Sequence, residues 1–383
     1  MSVPVVLVAG LHGVARAAVV DRLLREHPGA LAIHHDLRQV TGGLVVRTVR
    51  DADVVRERVA VRLKHGCVSC TVRLDLIPQL LRYAGRASLL VVDLWDTVEP
   101  RSVAEAVGDP ETAPGLRLTG VLTALDAELM PTDVCRGELL SEIGKQAAAG
   151  DERYLAEVLV HQIEYATALV VPDTMPVPLP PADEDDIELC REVLGHLAPM
   201  TPAAMPGEPL PAVDGPGLCV HELAARVDPA SAQLPCTART PAVDTVVWHR
   251  TRPLHPGRFF EAMDDIATRS VRSRGRFWLA NRPDRLLAWD AVAGVVSVED
   301  TGPWLAALPE PARGTEPPAR RLAASLDWTP EHGDRVQHLV LTGPGLDHDE
   351  IHALLDACLL APGEPATVLD DPFADLLDLD AAG

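Results

Sequence analysis

The chain is poor in aromatic side chains and in lysine. Phenylalanine, tryptophan and tyrosine together make up 3% of its 383 residues, and lysine occurs only as Lys64 and Lys145. Apolar residues nevertheless make up 47% of the chain, so the hydrophobic cores must be built from leucine, valine and alanine. At this length we expect two domains, each large enough to bury a core of its own.

Arginine is abundant, but the acidic residues outnumber the basic ones, 56 to 34. The formal net charge of −22 at pH 7 argues against a protein that coats DNA or RNA through bulk electrostatic attraction. No apolar run reaches the roughly 18–20 residues needed to cross a bilayer, and residues 1–4 lack the basic region of a signal peptide. The seven cysteines are scattered apart from Cys67 and Cys70, so they do not indicate a disulfide framework. We therefore expect a cytoplasmic protein without a membrane partner.

Alternating strand and helix patterns in residues 1–175 predict an α/β domain with a mostly parallel sheet. Val3–Ala9 is an aliphatic run of the kind found in strands buried on both faces. Further strands are predicted at residues 31–35, 44–49, 89–93, 118–125 and 168–171, of which the last is expected to end the sheet. Helices are predicted at residues 14–26, 52–64, 75–83 and 154–164, with Asp75 as the cap of the third.

Residues 176–242 differ from what precedes them because they are rich in proline and contain an acidic run. We predict a connector that holds one helix, at residues 187–197. Three cysteines of this connector lie near His196 and His221 without paired spacing. They are expected to be incidental thiols rather than a second metal site: Cys190, Cys219 and Cys236.

The remaining residues predict a second, smaller α+β domain at 243–364. Its strands are expected at residues 243–249, 276–280, 285–289 and 336–342, and its helices at 259–267 and 348–359. An aspartate at 347 or 349 is expected to cap the last helix. Residues 365–383 contain five aspartates and are predicted to form an acidic tail.

The turn after the first predicted strand has part of the pattern of a phosphate-binding loop. Gly10 and Gly13 lie between a buried strand and a helix, where backbone N–H groups can bind phosphate. The positions that require lysine and then serine or threonine hold Arg16 and two alanines. Alanine offers no hydroxyl to Mg²⁺, and a planar guanidinium does not replace a lysine ammonium. A tight turn is therefore favoured over nucleotide binding, and Asp93, at the carboxyl end of another strand, is either a turn residue or a ligand contact.

Cys67 and Cys70 form a Cys-x-x-Cys pair in a short loop. Two thiolates at this spacing can bind one zinc ion, with a third ligand from His65 or from a carboxylate such as Asp93. The same pair can instead form a redox disulfide or remain reduced and without metal. A redox role requires a lowered thiolate pKa, for which the neighbouring sequence offers only His65 and Lys64.

Several of these segments, in this order, resemble the CobW-type family of P-loop GTPases, many of whose members are zinc-linked metallochaperones. The segment Gly-Cys-Val-Ser-Cys-Thr at residues 66–71 lies where that family has Gly-Cys-x-Cys-Cys and differs from it at Ser69. Residues 89–100 and 118–126 are similar to the next two strands of that family and their aspartates. The strongest similarity is to the CobW C-terminal domain, in residues 252–259, 271–280 and 336–364. The resemblance covers nearly the whole chain.

Three parts of a GTPase differ from the family pattern together. The phosphate loop lacks its lysine and threonine, and residues 93–96 lack the glycine whose N–H meets a γ-phosphate. Pro-Asp-Thr at residues 172–174 stands where the family has the guanine-binding Asn-Lys-x-Asp, and the histidine-rich linker of many relatives is missing. These departures predict weak or no hydrolysis of Mg·GTP. The candidate nucleotide contacts that remain are Gly10, Gly13, Arg16 and Asp93.

The chain is most similar to an actinobacterial branch of that family with the same Gly-Cys-Val-Ser-Cys-Thr loop. That branch includes a zinc-responsive factor that recruits a hibernation-promoting protein to the ribosome. The resemblance implies a zinc-responsive pseudo-GTPase whose partners are a ribosome hibernation factor and the ribosome. The alternative is a metallochaperone that couples GTP hydrolysis to zinc transfer, with Arg16 in place of lysine.

Arginines around Phe277 and Trp278 suggest a third hypothesis, direct contact with ribosomal RNA. Arginine beside aromatic rings can stack on unpaired bases and neutralise phosphates. The favoured alternative is a solvated strand face whose aromatic rings belong to the core. The arginines that would contact RNA are Arg272, Arg274 and Arg276, with Arg269, Arg282 and Arg285 nearby.

Overall fold

The computed structural model describes residues 2–173, 182–365, 369–374 and 376–377. The chain divides into two compact units, residues 1–224 and 225–383. Within the described ranges, no helix is both long enough and apolar enough to cross a membrane.

The first unit is built on an eight-stranded sheet in the order β4-β3-β2-β5-β1-β6-β7-β8. The six strands from β2 to β8 in this order are parallel, and β3 and β4 add an antiparallel hairpin at one edge. The strands are β1 (Val3–Ala9), β2 (Leu31–Asp36), β3 (Leu44–Arg50), β4 (Val55–Arg62), β5 (Leu90–Asp93), β6 (Leu116–Ala124), β7 (Ala168–Val170) and β8 (Ala203–Ala204). The predicted α/β class with a mostly parallel sheet is confirmed.

Strand β1 lies at the centre of this sheet because its aliphatic side chains suit burial on both faces. It pairs with β5 on one side and β6 on the other, and its residues from Val5 to Ala9 are fully buried. Helices cover the sheet: α1 (Gly13–Glu26), α2 (Val68–Thr71), α3 (Ile77–Tyr83), α4 (Pro100–Gly108), α5 (Met130–Asp133), α6 (Leu155–Tyr165) and α7 (Glu184–Leu197). Helix α1 packs Val19, Val20 and Leu23 onto the strands.

The prediction of a helix at residues 52–64 is wrong, because residues 55–62 of this segment form β4. The sequence Val-Arg-Glu-Arg-Val-Ala-Val-Arg alternates with a period of two, as a strand does, and its three arginines protect an exposed sheet edge. Asp75 does not cap a helix either. It is buried within a π-helical turn, Val72–Leu76, which joins α2 to α3, and its carboxylate binds side chains of the sheet.

The predicted connector is more ordered than its composition suggests. Besides α7 it contains a second helix, α8 (Val220–Val227), so the prediction of one helix is wrong. Residues 203–204 extend the sheet beyond β7, which is therefore not its last strand. The first residues of the connector, 176–181, lie outside the described ranges.

The second unit contains a six-stranded antiparallel sheet in the order β13-β12-β11-β14-β10-β9. Its strands are β9 (Ala238–Arg239), β10 (Asp244–Arg250), β11 (Arg272–Phe277), β12 (Arg285–Val292), β13 (Val295–Pro303) and β14 (Gln337–Gly343). Its helices are α9 (Pro256–Thr268), α10 (Glu310–Thr315), α11 (Pro318–Asp327) and α12 (His348–Ala357). The predicted α+β class is confirmed, and Asp347 caps α12 as expected.

The few aromatic residues of the chain are concentrated in the core of this second unit. Trp248, Trp289, Phe259, Phe277 and Phe373 are all fully buried there, and several of their rings are in contact. Such rings bury more area per residue than the aliphatic side chains that fill the first unit. Of the predicted acidic tail, the aspartates at 375, 378 and 380 lie outside the described residues.

We predict that Gly10→Ala strongly destabilises the first unit. Gly10 has φ +139°, and an added Cβ would lie 2.2 Å from the main-chain oxygen of Ala124 in β6. A backbone atom at the sheet centre cannot move aside, so unfolding free energy should fall by at least about 2 kcal/mol. Denaturant unfolding measures this change. Gly195→Ala is the matched control, because α7 leaves open space there and alanine should be neutral or stabilising.

Candidate functional site

The predicted phosphate loop connects the carboxyl end of β1 to α1. Gly10 is held against Ala124 by its positive φ, and α1 begins at Gly13. His12 is buried: its Nδ1 accepts a hydrogen bond from the N–H of Asp126 (3.0 Å), and its Nε2 lies 3.1 Å from Oδ2 of Asp133. The loop is therefore fastened to the rest of the sheet edge by internal contacts.

The side chain of Arg16 extends from the first turn of α1 back towards Gly10, on the inner side of the loop. Its side chain is 5% exposed, and Nη1 donates to the main-chain oxygen of Gly10 at 2.7 Å. Nε donates to Oδ1 of Asp93 at 2.6 Å, and Nη2 lies 2.9 Å from Oδ1 of Asp96. The guanidinium is thus bound by two carboxylates of this chain, an arrangement that we call the arginine clamp (Arg16, Asp93 and Asp96).

Two further side chains complete the clamp. Lys145 Nζ lies 2.8 Å from the second oxygen of Asp96. His34, on β2, places Nδ1 at 2.9 Å from the main-chain oxygen and 3.2 Å from Oδ2 of Asp93. Both carboxylates therefore have cationic or donor groups on more than one side, and no charge within the clamp lacks a counter-charge.

The protonation of these groups follows from the same contacts. Burial by itself raises the pKa of Asp93, but the charge of Arg16 and the hydrogen bond from His34 outweigh it and lower this pKa to about 2. Burial by itself lowers the pKa of His34, but the hydrogen bond with Asp93 and the charge of Asp93 outweigh it. The pKa of His34 is therefore raised. Asp93 is therefore a carboxylate at pH 7, so the clamp keeps its ion pairs.

The residues around the loop do not fit a bound Mg·GTP. A γ-phosphate needs unshared cationic charge, whereas Arg16 already has two carboxylate partners. Ala17 and Ala18 provide no hydroxyl for Mg²⁺, and the N–H of Leu94 is used by the main-chain oxygen of Val8 at 3.0 Å. At the expected guanine site, Pro172 and Asp173 follow β7, and residue 174 lies outside the described ranges.

Cys67 and Cys70 lie at the start of the helical segment 68–83. Cys67 is half-buried and caps α2, with its Sγ accepting a hydrogen bond from the N–H of Cys70 at 3.4 Å. Gly66 is required here because a Cβ would lie 1.8 Å from the main-chain oxygen of Val40. Hydrogen bonding with Cys67, together with burial, raises the pKa of the Cys70 thiol. Because a bound cation favours the thiolate, metal would reverse this effect.

The cysteine loop is fixed to the sheet through Asp75, five residues after Cys70. His35 Nε2 lies 2.7 Å from Oδ2 of Asp75, and Arg47 Nη1 donates to its Oδ1 at 2.5 Å. Arg47 also pairs with Glu57 of β4. The π-helical turn that carries Asp75 is of the kind often found at functional sites. This network fixes the helical segment just after the cysteines, and Gly66 packs the loop before them against Val40.

The two thiols are of the kind that bind zinc as thiolates, and they would fill two of its four coordination positions. His65 is exposed, and its main-chain oxygen accepts from the N–H of Cys67 at 3.1 Å. Within the described part of the chain, neither His65 nor Asp93 joins the two cysteines in a preformed group of three ligands. Asp93 instead belongs to the arginine clamp. A cleft of about 650 Å³ opens beside Cys67, which is half-buried and is one of the residues that line it.

The structure thus brings Gly10, Arg16 and Asp93 together, and it places the cysteine pair elsewhere in the same unit. Sequence reasoning missed His34, Asp96 and Lys145 as partners in the clamp. Asp96 and His34 had a local signal, because they lie just after and just before the carboxyl ends of two parallel strands. Lys145 comes from a distant segment, and its contact depends on the tertiary fold.

The predicted RNA-contacting arginines are bound within the second unit. Arg272 and Arg276 are 3% and 6% exposed, and they pair with Asp290 and Asp327. Phe277 and Trp278 are buried, so the alternative is right about the core aromatic rings, but it is wrong about a solvated strand face because Arg272 and Arg276 are buried too. RNA contact therefore gains no support from these side chains.

Comparison with known proteins assigns both parts of the chain. Residues 4–194 match the family described as the CobW/HypB/UreG nucleotide-binding domain, and residues 243–359 match the cobalamin synthesis protein cobW C-terminal domain. A "Zinc chaperone Rv0106" of Mycobacterium tuberculosis is 31% identical to this chain, and the alignment covers 99% of this chain and 94% of the relative. A "Zinc-regulated GTPase metalloprotein activator 1" of Dictyostelium discoideum is 22% identical, and the alignment covers 94% of this chain and 80% of the relative.

Among solved structures, the Zn(II)-bound YjiA GTPase from E. coli is similar at 13% identity with a TM-score of 0.38, and the match covers 94% of this chain and all of that one. The assignment itself depends on the two domain matches and on the full-length relative at 31% identity. These matches agree with the order of motifs in the sequence and with the two observed units. The chain belongs to the CobW/HypB/UreG family and carries the CobW C-terminal domain.

Proposed function

We propose that this protein is a zinc-responsive pseudo-GTPase of the CobW family, which acts by binding rather than by hydrolysing GTP. The observation that carries the proposal is the arginine clamp. Arg16 occupies the position from which a P-loop lysine would reach the nucleotide, and Asp93 and Asp96 neutralise it. The clamp makes the former phosphate site part of the protein's own structure.

The electrostatics of the clamp oppose a triphosphate. A γ-phosphate that approached Arg16 would meet the carboxylates of Asp93 and Asp96 at about the same distance as the cation. Displacing them would break partly buried ion pairs, and losing one partner of such a pair costs about 3–5 kcal/mol. Without a hydroxyl ligand for Mg²⁺, little is available to offset this cost.

Zinc binding is proposed for Cys67 and Cys70. Their sulfurs lie at the start of a helical segment that Asp75 anchors to the sheet five residues after Cys70, and the cleft beside Cys67 leaves the site open to exchange. Open coordination suits a site that gains and loses zinc, in contrast to the closed four-ligand sites of structural zinc. The names of the relatives, a zinc chaperone and a zinc-regulated activator, support the same metal.

The proposed partners are a ribosome hibernation factor and the ribosome, which the protein would bring together under zinc limitation. Loss of zinc from the sulfur pair would change the conformation of the loop at Gly66, and the changed loop would expose or complete the binding surface. This proposal rests on the resemblance of the Gly-Cys-Val-Ser-Cys-Thr loop to that branch of the family. The alternative function, GTP-dependent zinc transfer, is favoured by the names of the relatives.

We predict that the wild-type protein does not hydrolyse GTP above the uncatalysed rate with Mg²⁺ present. The double variant Asp93→Asn/Asp96→Asn should bind a fluorescent triphosphate at least about tenfold more tightly than wild type, because it frees the charge of Arg16. The control, Asp21→Asn/Glu26→Gln, removes two carboxylates from the outer side of α1 and should leave binding unchanged. Turnover by wild type that disappears in Arg16→Ala would instead establish the metallochaperone alternative.

We predict that Cys67→Ser/Cys70→Ser loses thiolate coordination of metal. Titration with Co²⁺, a spectroscopic substitute for zinc, should give sulfur-to-metal charge-transfer absorption in wild type and none in this variant. Cys135→Ser/Cys219→Ser, which removes two exposed thiols, should keep the absorption. If Cys67→Ser/Cys70→Ser keeps the absorption, or if wild type never shows it, Cys67 and Cys70 are not the metal ligands.

We predict that the protein, captured from cells grown at low zinc, brings ribosomal proteins and a hibernation factor with it, and that zinc-replete cells yield neither. The Cys67→Ser/Cys70→Ser variant should lose this dependence on zinc, because its loop cannot respond to the metal. Mass spectrometry of the captured proteins measures both effects. Capture without ribosomal proteins at either zinc level would contradict the recruiting function. That result would not contradict the proposed zinc site, which the Co²⁺ titration tests separately.

A further inference from the structure

A second group of metal-ligand side chains lies in the C-terminal unit, far along the sequence from the cysteines. His249 on β10 and His338 on β14 are direct cross-strand neighbours in the antiparallel sheet. Asp327 is the last residue of α11. One ligand atom from each of these three residues lies within 4.8 Å of the other two, and no other such group of three occurs among the residues that the structure describes.

The three side chains already touch in pairs. His249 Nε2 lies 3.2 Å from Oδ1 of Asp327, and the two imidazole rings meet edge to face with centroids 5.2 Å apart. Arg276 Nη2 donates to the other carboxylate oxygen, Oδ2, at 2.5 Å. Because β11 pairs with β14 in a register that sets Arg276 beside His338, this contact is fixed by the sheet.

One nitrogen atom among these three side chains has no hydrogen-bond partner. Nδ1 of His338 is buried and makes no hydrogen bond. Leaving a buried polar atom unsatisfied costs about 1–3 kcal/mol. The hydrogen bond between His249 and Asp327 gives those two side chains a polar partner, but it leaves the imidazole of His338 without one. A metal ion would supply that partner by accepting the lone pair of the imidazole nitrogen.

We propose that His249, Asp327 and His338 form a binding site for a divalent transition metal ion of the zinc class, separate from the cysteine site. Two imidazoles and one carboxylate are a ligand set that zinc uses when a fourth position stays open, and imidazole disfavours Ca²⁺ and Mg²⁺. His249 is 45% exposed in its side chain, so the open position faces solvent. The metal would replace the proton that His249 and Asp327 share.

Arg276 sets both the geometry and the strength of this site. By holding Oδ2 of Asp327, it fixes the carboxylate and leaves Oδ1 directed towards the imidazoles, as hydrogen-bonded carboxylate ligands in metal sites are fixed. Its positive charge also repels a dication. We therefore expect this site to bind zinc more weakly than the thiolate pair and to fill only when zinc is abundant.

The test uses the full chain with Cys67→Ser/Cys70→Ser, so that failure of the cysteine site does not affect the result. Zinc titration by calorimetry should give one equivalent bound. His338→Gln and Asp327→Asn should each weaken that binding at least about tenfold. X-ray absorption of the bound zinc should show nitrogen and oxygen ligands only. His352→Gln, which removes a histidine that bonds the main-chain oxygen of Val247, is the control and should bind zinc normally.

Thermal unfolding separates this role from a structural one. Zinc should raise the melting temperature of the protein that keeps all three ligands and not that of His338→Gln, since only a folded state that binds zinc is stabilised by it. Without metal, His338→Gln should unfold at the same temperature as its parent, because the buried nitrogen has no partner to lose. Zinc binding that is absent in the parent, or that is unchanged in both ligand variants, would overturn the proposal.

Discussion

The ion pairs between Arg16 and the carboxylates of Asp93 and Asp96 are the interaction on which the proposed function of the first unit depends. They lie at the carboxyl edge of a parallel sheet, where folds of this kind bind their ligands. In a P-loop protein the cationic side chain at this edge binds a phosphate. In this protein Arg16 is paired instead with two carboxylates of the same chain. The strand-turn-helix scaffold is therefore retained, with Gly10 still pressed against Ala124, while the ligand position is filled from within.

Strand β2 connects this clamp to the cysteine loop. Its alternation directs His34 to Asp93 and the adjacent His35 to Asp75, which anchors the helix that begins at Cys67. A single rigid strand thus contacts both the former nucleotide site and the support of the proposed zinc site. The clamp holds His34 at one end of that connection, and the proposed response to zinc would act at the other, on the cysteine loop.

The sequence was sufficient for the fold class because the buried strands are long aliphatic runs, as in β1. It failed where the local pattern was misjudged, because the alternation of residues 55–62 is that of a strand and not of a helix. The arginine clamp was only half predictable. The loss of lysine was visible, but the pairing of Arg16 with Asp96 and Lys145 depends on tertiary contacts. The three ligands around His249 have no motif spacing at all, because the sheet register brings them together.

The central claim is that the guanidinium of Arg16 stays bound to its carboxylates when nucleotide is present. The most direct measurement is the ¹⁵N resonance of Arg16 Nε in the folded protein, assigned with Arg16→Lys, during titration with Mg·GTP. The account predicts that this resonance does not shift up to millimolar nucleotide, because the N–H continues to donate to Asp93. A saturable shift of that resonance, accompanied by release of phosphate, would contradict it.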